Sequence, residues 1–382
     1  MRSRAGGDAE ACRNAPILIA QCRNALTRNA AAGTFARTLF ALQSPVQILR
    51  RKSGPTMRGM DSNLISLART IRRSTAFKNV IAAPKRLTVR AQQRLNRGIF
   101  SVEIHSNLGF FAIMQMILLI LVHCRKNGLH PDISAKGGNY GEETGTIDWF
   151  LELFEATQKP SATIAARLAD RTDIRTSKVR NEWDLGFKSQ YDKRLSLAEA
   201  NELFNAYYRP AATVSAEVDS TMRRIGVSAT TLAVHYRGTD KVHEAGLVPW
   251  STVCEHAALI ARSKPWLKEI MLATDEIEFA DYFRKWPFEL PVIAAPAEYL
   301  PVGDRPVHFS GHPGLAIGRE ALITCLLLSR CGFLLKTASY LSGWAKIFNP
   351  ELRVWLMAPR VEPRFFPDRA LWHDQQSGRA TA

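Results

Sequence analysis

The first hundred residues have very few acidic side chains. They hold 19 Lys and Arg but only three Asp and Glu, whereas residues 101–382 hold 32 of each. The net charge of +16 therefore belongs to the N-terminal quarter and not to the rest of the chain. A basic pI of this origin does not indicate a protein body that binds nucleic acid, and we expect no nucleic-acid partner.

Cysteines with metal-binding or redox spacing are also missing. The chain has no CxxC pair and no group of Cys and His with zinc-type spacing. Most of its cysteines stand in apolar segments, where a reduced and buried thiol is the usual state. The six cysteines are Cys12, Cys22, Cys124, Cys254, Cys325 and Cys331.

Long hydrophobic runs are absent too. The longest covers residues 108–122 and contains Gln115, whereas a membrane-spanning helix needs about 20 apolar residues. We predict a buried helix and no transmembrane span. The early apolar stretch "APILIA" is too short for a secretory signal. A cytoplasmic location is the expectation, with association at a membrane surface as an alternative.

Residues 1–95, here called the basic extension, differ in composition from the rest of the chain. One interpretation is a transit-peptide-like or membrane-surface segment, because such segments are Arg-rich and poor in acids. Another is a disordered basic arm. The third, which we favour, is that the sequence starts too far upstream and that Met57 or Met60 opens the protein.

The remaining chain alternates between strand and helix patterns. Residues 99–133 read as a strand, a helix that ends at Gly128, and a second strand, and residues 148–222 read as mostly helical. From residue 230, apolar runs of four to eight residues alternate with helical patterns, which is typical of a doubly wound parallel sheet. We predict an α/β fold with an N-terminal domain over 96–228, a nucleotide-binding domain over 229–360, and a polar surface tail over 361–382.

Polar residues follow three of the predicted strands. His235, Arg237, Asp240 and Lys241 follow "TLAV", Thr274 and Asp275 follow "IMLA", and Ser339 and Ser342 follow "FLLKTA". Ligands bind beyond the carboxyl ends of parallel strands, so we expect these residues to converge. Asn107 and Gly109 lie in the turn between the first strand and first helix, a position where backbone N–H groups can meet a ligand.

This content favours an anionic ligand such as a nucleoside diphosphate. Arg237 can pair with two phosphate oxygens at once, and Ser339 and Ser342 open a helix whose N–H groups attract anions. Structural roles compete with this interpretation: His235 as a core residue, Arg237 and Asp240 as an ion pair, and Asp275 as a helix cap.

Three segments resemble one enzyme family. "HYRGTDKVHEA" resembles the HxRxTDK motif of the α1,6-fucosyltransferases, which fucosylate N-glycan cores or act in rhizobial nodulation. "IMLATDE" and "SRCGFLLKTASYLSGWAKIFNP" are similar to later motifs of that family in the same order, and "SNLGFF" is similar to its first glycine-containing loop. The wider superfamily includes protein O-fucosyltransferases and α1,2-fucosyltransferases.

The resemblance implies a GT-B-like fold of two Rossmann-like domains with parallel sheets. It implies GDP-fucose as the donor, a glycan or other hydroxyl acceptor, and inverting transfer with no metal or other cofactor. Arg237 would hold the β-phosphate with His235 beside it, and Asp275 and Ser339 would bind the nucleotide. Glu244, just past Lys241, matches the family's proposed base.

The chain departs from the family pattern at three points. Gly238 stands where the family often has a second Arg, Glu244 is one residue closer to Lys241, and Thr324 replaces an Asp. Two alternatives therefore stay open. One is a transferase that uses another nucleotide sugar, and the other is a non-catalytic protein that binds a nucleotide or carbohydrate. A nucleic-acid role confined to the basic extension is a further hypothesis.

Overall fold

The computed structural model describes residues 89–378, except residues 90, 92–93, 143, 192–194, 239–246, 302–305, 358–361 and 364. All described residues belong to one compact unit, Lys78–Ala382. Of the basic extension, only residues 89, 91, 94 and 95 are described. The interpretations of that segment, and the locations of Cys12 and Cys22, therefore stay predictions.

The strands form two parallel sheets and one small antiparallel pair. In chain order they are β1 (Ile99–Ser106), β2 (His130–Gly138), β3 (Phe154–Ala156), β4 (Ser177–Val179), β5 (Tyr208–Pro210), β6 (Thr231–Tyr236), β7 (Glu269–Thr274), β8 (Val292–Ala294), β9 (Phe333–Thr337) and β10 (Arg353–Met357).

Helices connect these strands. They are α1 (Phe110–Asn127), α2 (Trp149–Leu153), α3 (Ala162–Asp170), α4 (Lys188–Tyr191), α5 (Leu197–Tyr207), α6 (Ala212–Ile225), α7 (Trp250–Ser263), α8 (Ile277–Lys285), α9 (Gly314–Arg330), α10 (Tyr340–Phe348) and α11 (Asp368–Gln376). Two short 3-10 helices cover Glu182–Leu185 and Val307–Phe309.

The larger sheet has the strand order β10-β9-β6-β7-β8, and every pairing in it is parallel. Alternate residues of β6 face opposite sides: Leu232 and Val234 pack in one apolar core and Ala233 in the other. Helices cover both faces of this sheet, which explains the near-continuous apolar strands. The α/β class with parallel sheets is confirmed.

Strand order reverses at two places. In the larger sheet the chain runs outward from β6 to β8 and then returns to place β9 on the other side of β6. In the smaller sheet, ordered β2-β1-β4, it places β2 on one side of β1 and β4 on the other. Such switch points open a crevice at the carboxyl ends of the strands, and both lie next to predicted site residues.

The apolar core is continuous between the two sheets. The larger of the two buried clusters contains β1, α1, α9 and α10 residues together, including Phe110, Leu119, Leu327 and Trp344. Helix α1 is long and apolar enough to cross a membrane, but most of it is buried inside the protein. It is therefore no evidence of a span, and it lies where the sequence predicted a buried core helix.

Two sequence expectations need correction. Within the region predicted as mostly helical, α5 ends at Tyr207, because Tyr208–Pro210 forms an antiparallel strand pair with Phe154–Ala156. The region predicted as mostly helical thus also contains three short strands. The tail predicted to be polar surface instead includes α11, which buries Asp368 and Leu371 against the body.

Candidate functional site

One cavity of about 450 Å³ lies at the carboxyl ends of the central strands. Its volume is in the range of small-ligand sites. Most of the predicted site residues that the structure describes line it: Asn107, Gly109, His235, Arg237, Thr274, Asp275 and Ser339. The predicted convergence of these strand ends is therefore present in the structure.

Arg237 occupies the switch point between β6 and β9. Its backbone N–H donates to Oγ1 of Thr337 at 3.0 Å, which joins the ends of the two strands. Its Nε lies 3.9 Å from Oδ2 of Asp275, at the end of the adjacent β7. The carboxylate can thus orient the guanidinium, which presents a fixed fork of donors at the cavity.

Asp275 does not cap the following helix. Glu276 is the N-cap residue of α8 and makes no side-chain cap bond, and its backbone N–H donates to Oγ1 of Thr274 at 3.1 Å. The capping interpretation of Asp275 is therefore wrong. Its place on the cavity wall beside Arg237 fits a role in the site better.

His235 lies beneath the cavity and is almost fully buried. Burial, followed by repulsion from Lys336 and Arg237, lowers the pKa of His235 to about 3. The ring is therefore neutral at physiological pH. Its Nδ1 is buried without a hydrogen-bond partner among the described residues, so a ligand group at the cavity could satisfy a polar atom that costs free energy when unpaired.

A buried ion pair supports the loop after β9. Lys336, fully buried in β9, pairs with Oδ1 of Asp368. The other oxygen, Oδ2, accepts the backbone N–H of Ser339 at 2.7 Å. Asp368 thus fixes the position at which Ser339 opens α10, where it is the N-cap residue without a side-chain cap bond. Ser339 lines the cavity at the start of this helix.

The opposite wall comes from the smaller sheet. Asn107 and Gly109 follow β1, and the carbonyl of Asn107 accepts from Nδ2 of Asn139 at 2.9 Å. Tyr140 is buried on the same wall, and burial raises its pKa against smaller opposing effects of a hydrogen bond with the Phe110 backbone and of the Arg237 charge. The cavity therefore lies between residues of both parallel sheets.

Four predicted residues are placed elsewhere or are not described. Ser342 lies one turn inside α10, fully buried and away from the cavity lining. Asp240, Lys241 and Glu244 fall in residues 239–246, outside the described part of the chain. Their proposed roles, including Glu244 as the base, stay predictions.

Several cavity residues were not identified from the sequence. Glu182, Glu320 and Phe365 reach the cavity from segments that carry no strand-end pattern. Glu320 holds the loop after β8, because Oε2 accepts the backbone N–H of Glu298 at 2.7 Å. Burial is the main cause of its raised pKa. Thr324, which stands one helical turn after Glu320, also lines the wall.

Gly238 stands where neighbouring side chains leave no room for a Cβ atom. A Cβ atom at this position would lie 1.9 Å from Oε2 of Glu276 and 2.9 Å from Cε1 of Tyr236. Burial, and then the neighbouring Asp275, raises the pKa of Glu276. The place where the family's second Arg would leave the backbone is thus taken by an acidic side chain. Among the described residues, no cluster of His, Cys, Asp and Glu could hold a metal ion.

Comparison with known proteins finds solved structures that are similar in the path of the chain and have low sequence identity. No protein-family model and no curated protein matches the chain. The fucosyltransferase NodZ from Bradyrhizobium is 16% identical over 68% of this chain and 96% of that one, with a TM-score of 0.45. Arabidopsis thaliana FUT1 in complex with GDP is 12% identical over 83% of each chain, with a TM-score of 0.39. POFUT1 in complex with GDP is 9% identical over 68% of this chain and 99% of that one, also with a TM-score of 0.39.

Proposed function

We propose that the protein is a glycosyltransferase that moves fucose from GDP-fucose to a hydroxyl group of a glycan or similar acceptor. The observation that carries this proposal is that Arg237 and Ser339 both line the cavity at the place where the strand order of the larger sheet reverses. The motif resemblance, which lies in the segments around these residues, supplies GDP-fucose as the expected donor.

The strand ends of the larger sheet suit a diphosphate. Lys336 is paired with Asp368 and His235 is neutral, so of the three basic groups Arg237, which lies beside Asp275, is the cation on the cavity lining. A guanidinium can hold two phosphate oxygens, and the N-terminus of α10 with Ser339 offers donors for further oxygens. The neutral ring of His235 can donate or accept a hydrogen bond without adding charge.

The reaction would be a single displacement. The acceptor oxygen would attack C1 of fucose from the face opposite the diphosphate, so that the configuration at C1 inverts. The bond between C1 and the β-phosphate oxygen breaks, and its electron pair stays on that oxygen, where Arg237 stabilises the developing charge. A carboxylate would take the acceptor's proton, with Glu244 as the candidate. No metal is assigned a role in this proposal.

Calorimetric titration with GDP, UDP and ADP in EDTA tests the donor site. We expect selective GDP binding that weakens at least tenfold in Arg237→Ala, because a charged hydrogen bond contributes roughly 1.5–3 kcal/mol. Arg284→Ala is the matched control, since Arg284 is exposed and pairs with Asp281 on α8. Equal affinity for the three nucleotides, or full GDP affinity in Arg237→Ala, would overturn the proposal.

Gly238 supports a second candidate function, a nucleotide-binding protein without turnover. The acidic Glu276 occupies the space beside Gly238. This strand end therefore carries one arginine, whereas the resembling family often has two and so more positive charge for the diphosphate. The two functions are separated by incubating the protein with GDP-fucose and measuring free fucose and fucosylated products by chromatography. GDP binding with no turnover above an Arg237→Ala sample would favour the non-catalytic candidate.

A further inference from the structure

The cavity has a wall that the donor assignment leaves unused. Glu182 lines it and opens the 3-10 helix Glu182–Leu185, on the side of the smaller parallel sheet. The donor candidates Arg237, Asp275 and Ser339 all follow strands of the larger sheet. Glu182 therefore faces the cavity from a different part of the fold than the proposed diphosphate site.

Glu182 belongs to a cluster built around one ammonium group. Lys188 is buried and pairs with Glu182, and its Nζ lies 4.5 Å from the ring centroid of Trp183. The same Nζ lies 5.9 Å from the ring centroid of Phe365, which also lines the cavity. The cation thus holds together a carboxylate and a ring that line the cavity, those of Glu182 and Phe365, and the indole of Trp183, which stands beside them outside the lining.

Trp183 is exposed although its backbone is fixed. The residue is 44% exposed, a high value for the largest apolar side chain. Its backbone N–H donates to Oδ1 of Asn181 at 3.0 Å, and Oδ2 of Asp184 accepts the backbone N–H of Asn181 at 3.2 Å. Gly186 ends the turn with a left-handed conformation at φ 72°. The turn therefore presents the indole from a rigid backbone.

An exposed aromatic ring beside a carboxylate suits a sugar ring. The C–H face of a pyranose packs on an apolar ring, and its hydroxyls donate to a carboxylate in hydrogen bonds that are stronger than neutral ones. The Glu182 carboxylate is already paired with the Lys188 ammonium, so the cluster carries no net charge and suits an uncharged sugar. We propose that Glu182, Trp183 and Phe365 form the subsite that binds a neutral pyranose of the acceptor.

This assignment rests on the proposed function, since it places an acceptor next to a sugar donor. It also orients the reaction: the acceptor comes from the wall of the smaller sheet while Arg237 holds the leaving diphosphate on the other wall. Such an arrangement gives the acceptor hydroxyl access to the face of the donor sugar that points away from the diphosphate.

The test uses the full chain and three neutral tetrasaccharides, built from glucose, from N-acetylglucosamine and from mannose. Each is titrated calorimetrically with saturating GDP present. We expect at least one to bind, with affinity at least tenfold weaker in Trp183→Ala and within threefold of the original in Trp183→Phe. Leu259→Ala is the control, because Leu259 is 58% exposed on α7 and belongs neither to the cavity lining nor to the cluster around Lys188.

The outcomes separate the two proposals. If GDP binds and none of the tetrasaccharides does, or if Trp183→Ala binds sugar as well as the unchanged protein, the subsite is wrong and the donor site stands. If sugar binding depends on Trp183 while GDP does not bind, the subsite stands and the proposed function falls. A GDP titration of each variant reports the donor site independently.

Discussion

A Cβ atom on Gly343 would lie only 2.8 Å from Oδ1 of Asp368. The carboxylate reaches Lys336 and the backbone of Ser339 through the space that this glycine leaves on α10. The proposed donor side of the cavity is therefore supported by a residue from α11 that does not line the cavity and reaches it through Ser339.

Removal of the Asp368 carboxylate should be strongly destabilising. In Asp368→Ala the ammonium of Lys336 would stay fully buried without its carboxylate, and breaking a buried pair in this way costs about 3–5 kcal/mol. Urea denaturation measures the change in the free energy of unfolding. Asp281→Ala is the comparison, because it breaks an exposed pair with Arg284 and should cost about 0–1 kcal/mol. Similar losses in the two variants would contradict this account.

Substitution of Gly238 should disturb the strand end. In Gly238→Ala the new methyl group meets Glu276 and the buried ring of Tyr236, and overpacking of this kind costs about 1–3 kcal/mol. Gly109→Ala is a matched control, since its Cβ would come no closer than 3.8 Å to His308. Thermal or urea unfolding compares the two. Adding Glu276→Ala to Gly238→Ala should recover part of the loss, and full additivity of the two changes would argue against the contact.

Stability should fall as the solution becomes acidic. Burial lowers the pKa of His123 to about 4, so between pH 6.5 and about 4 the unfolded chain binds a proton that the native state does not. The free energy of unfolding therefore decreases as pH falls through this window, by up to about 1.4 kcal/mol per pH unit for this residue.

His123→Phe isolates that contribution. The substituted ring can keep the stacking on Phe187, which lies 4.1 Å away between ring centroids, but it cannot titrate. Urea denaturation at pH 7, 6 and 5 should give a shallower decline for the variant than for the unchanged protein. Parallel declines would show that His123 is not responsible. His235 titrates in both proteins and does not affect the comparison.

The larger sheet could be predicted because its strands and helices carry clear periodic patterns. The regular alternation after residue 230 located β6, β7 and β9, and parallel strands bring their ends to one edge. His235, Arg237, Asp275 and Ser339 stand at or just after these strand ends. The same pattern also predicts Ser342 at the cavity. Ser342 lies three residues after Ser339, so the turn of α10 directs its side chain into the packed interior.

The rest depends on contacts that short sequence windows do not show. Strands of three residues, such as Phe154–Ala156 and Tyr208–Pro210, are too short for a period of two to be recognised. Glu182 and Phe365 both contact Lys188, although more than 180 positions in the sequence separate Glu182 from Phe365. Asp368 stands in a polar segment whose burial depends on docking of α11, so its sequence surroundings resemble a solvated tail.

The order of synthesis has a consequence for the loop after β9. Asp368 follows Ser339 by 29 residues, and a ribosome adding roughly 5–20 residues per second needs about 1.5–6 s to cover that interval. A growing chain can already contain Arg237, Asp275 and Ser339 while the carboxylate that fixes Ser339 has not yet been made. The proposed nucleotide binding should therefore arise late on the ribosome, after α11 has emerged and docked.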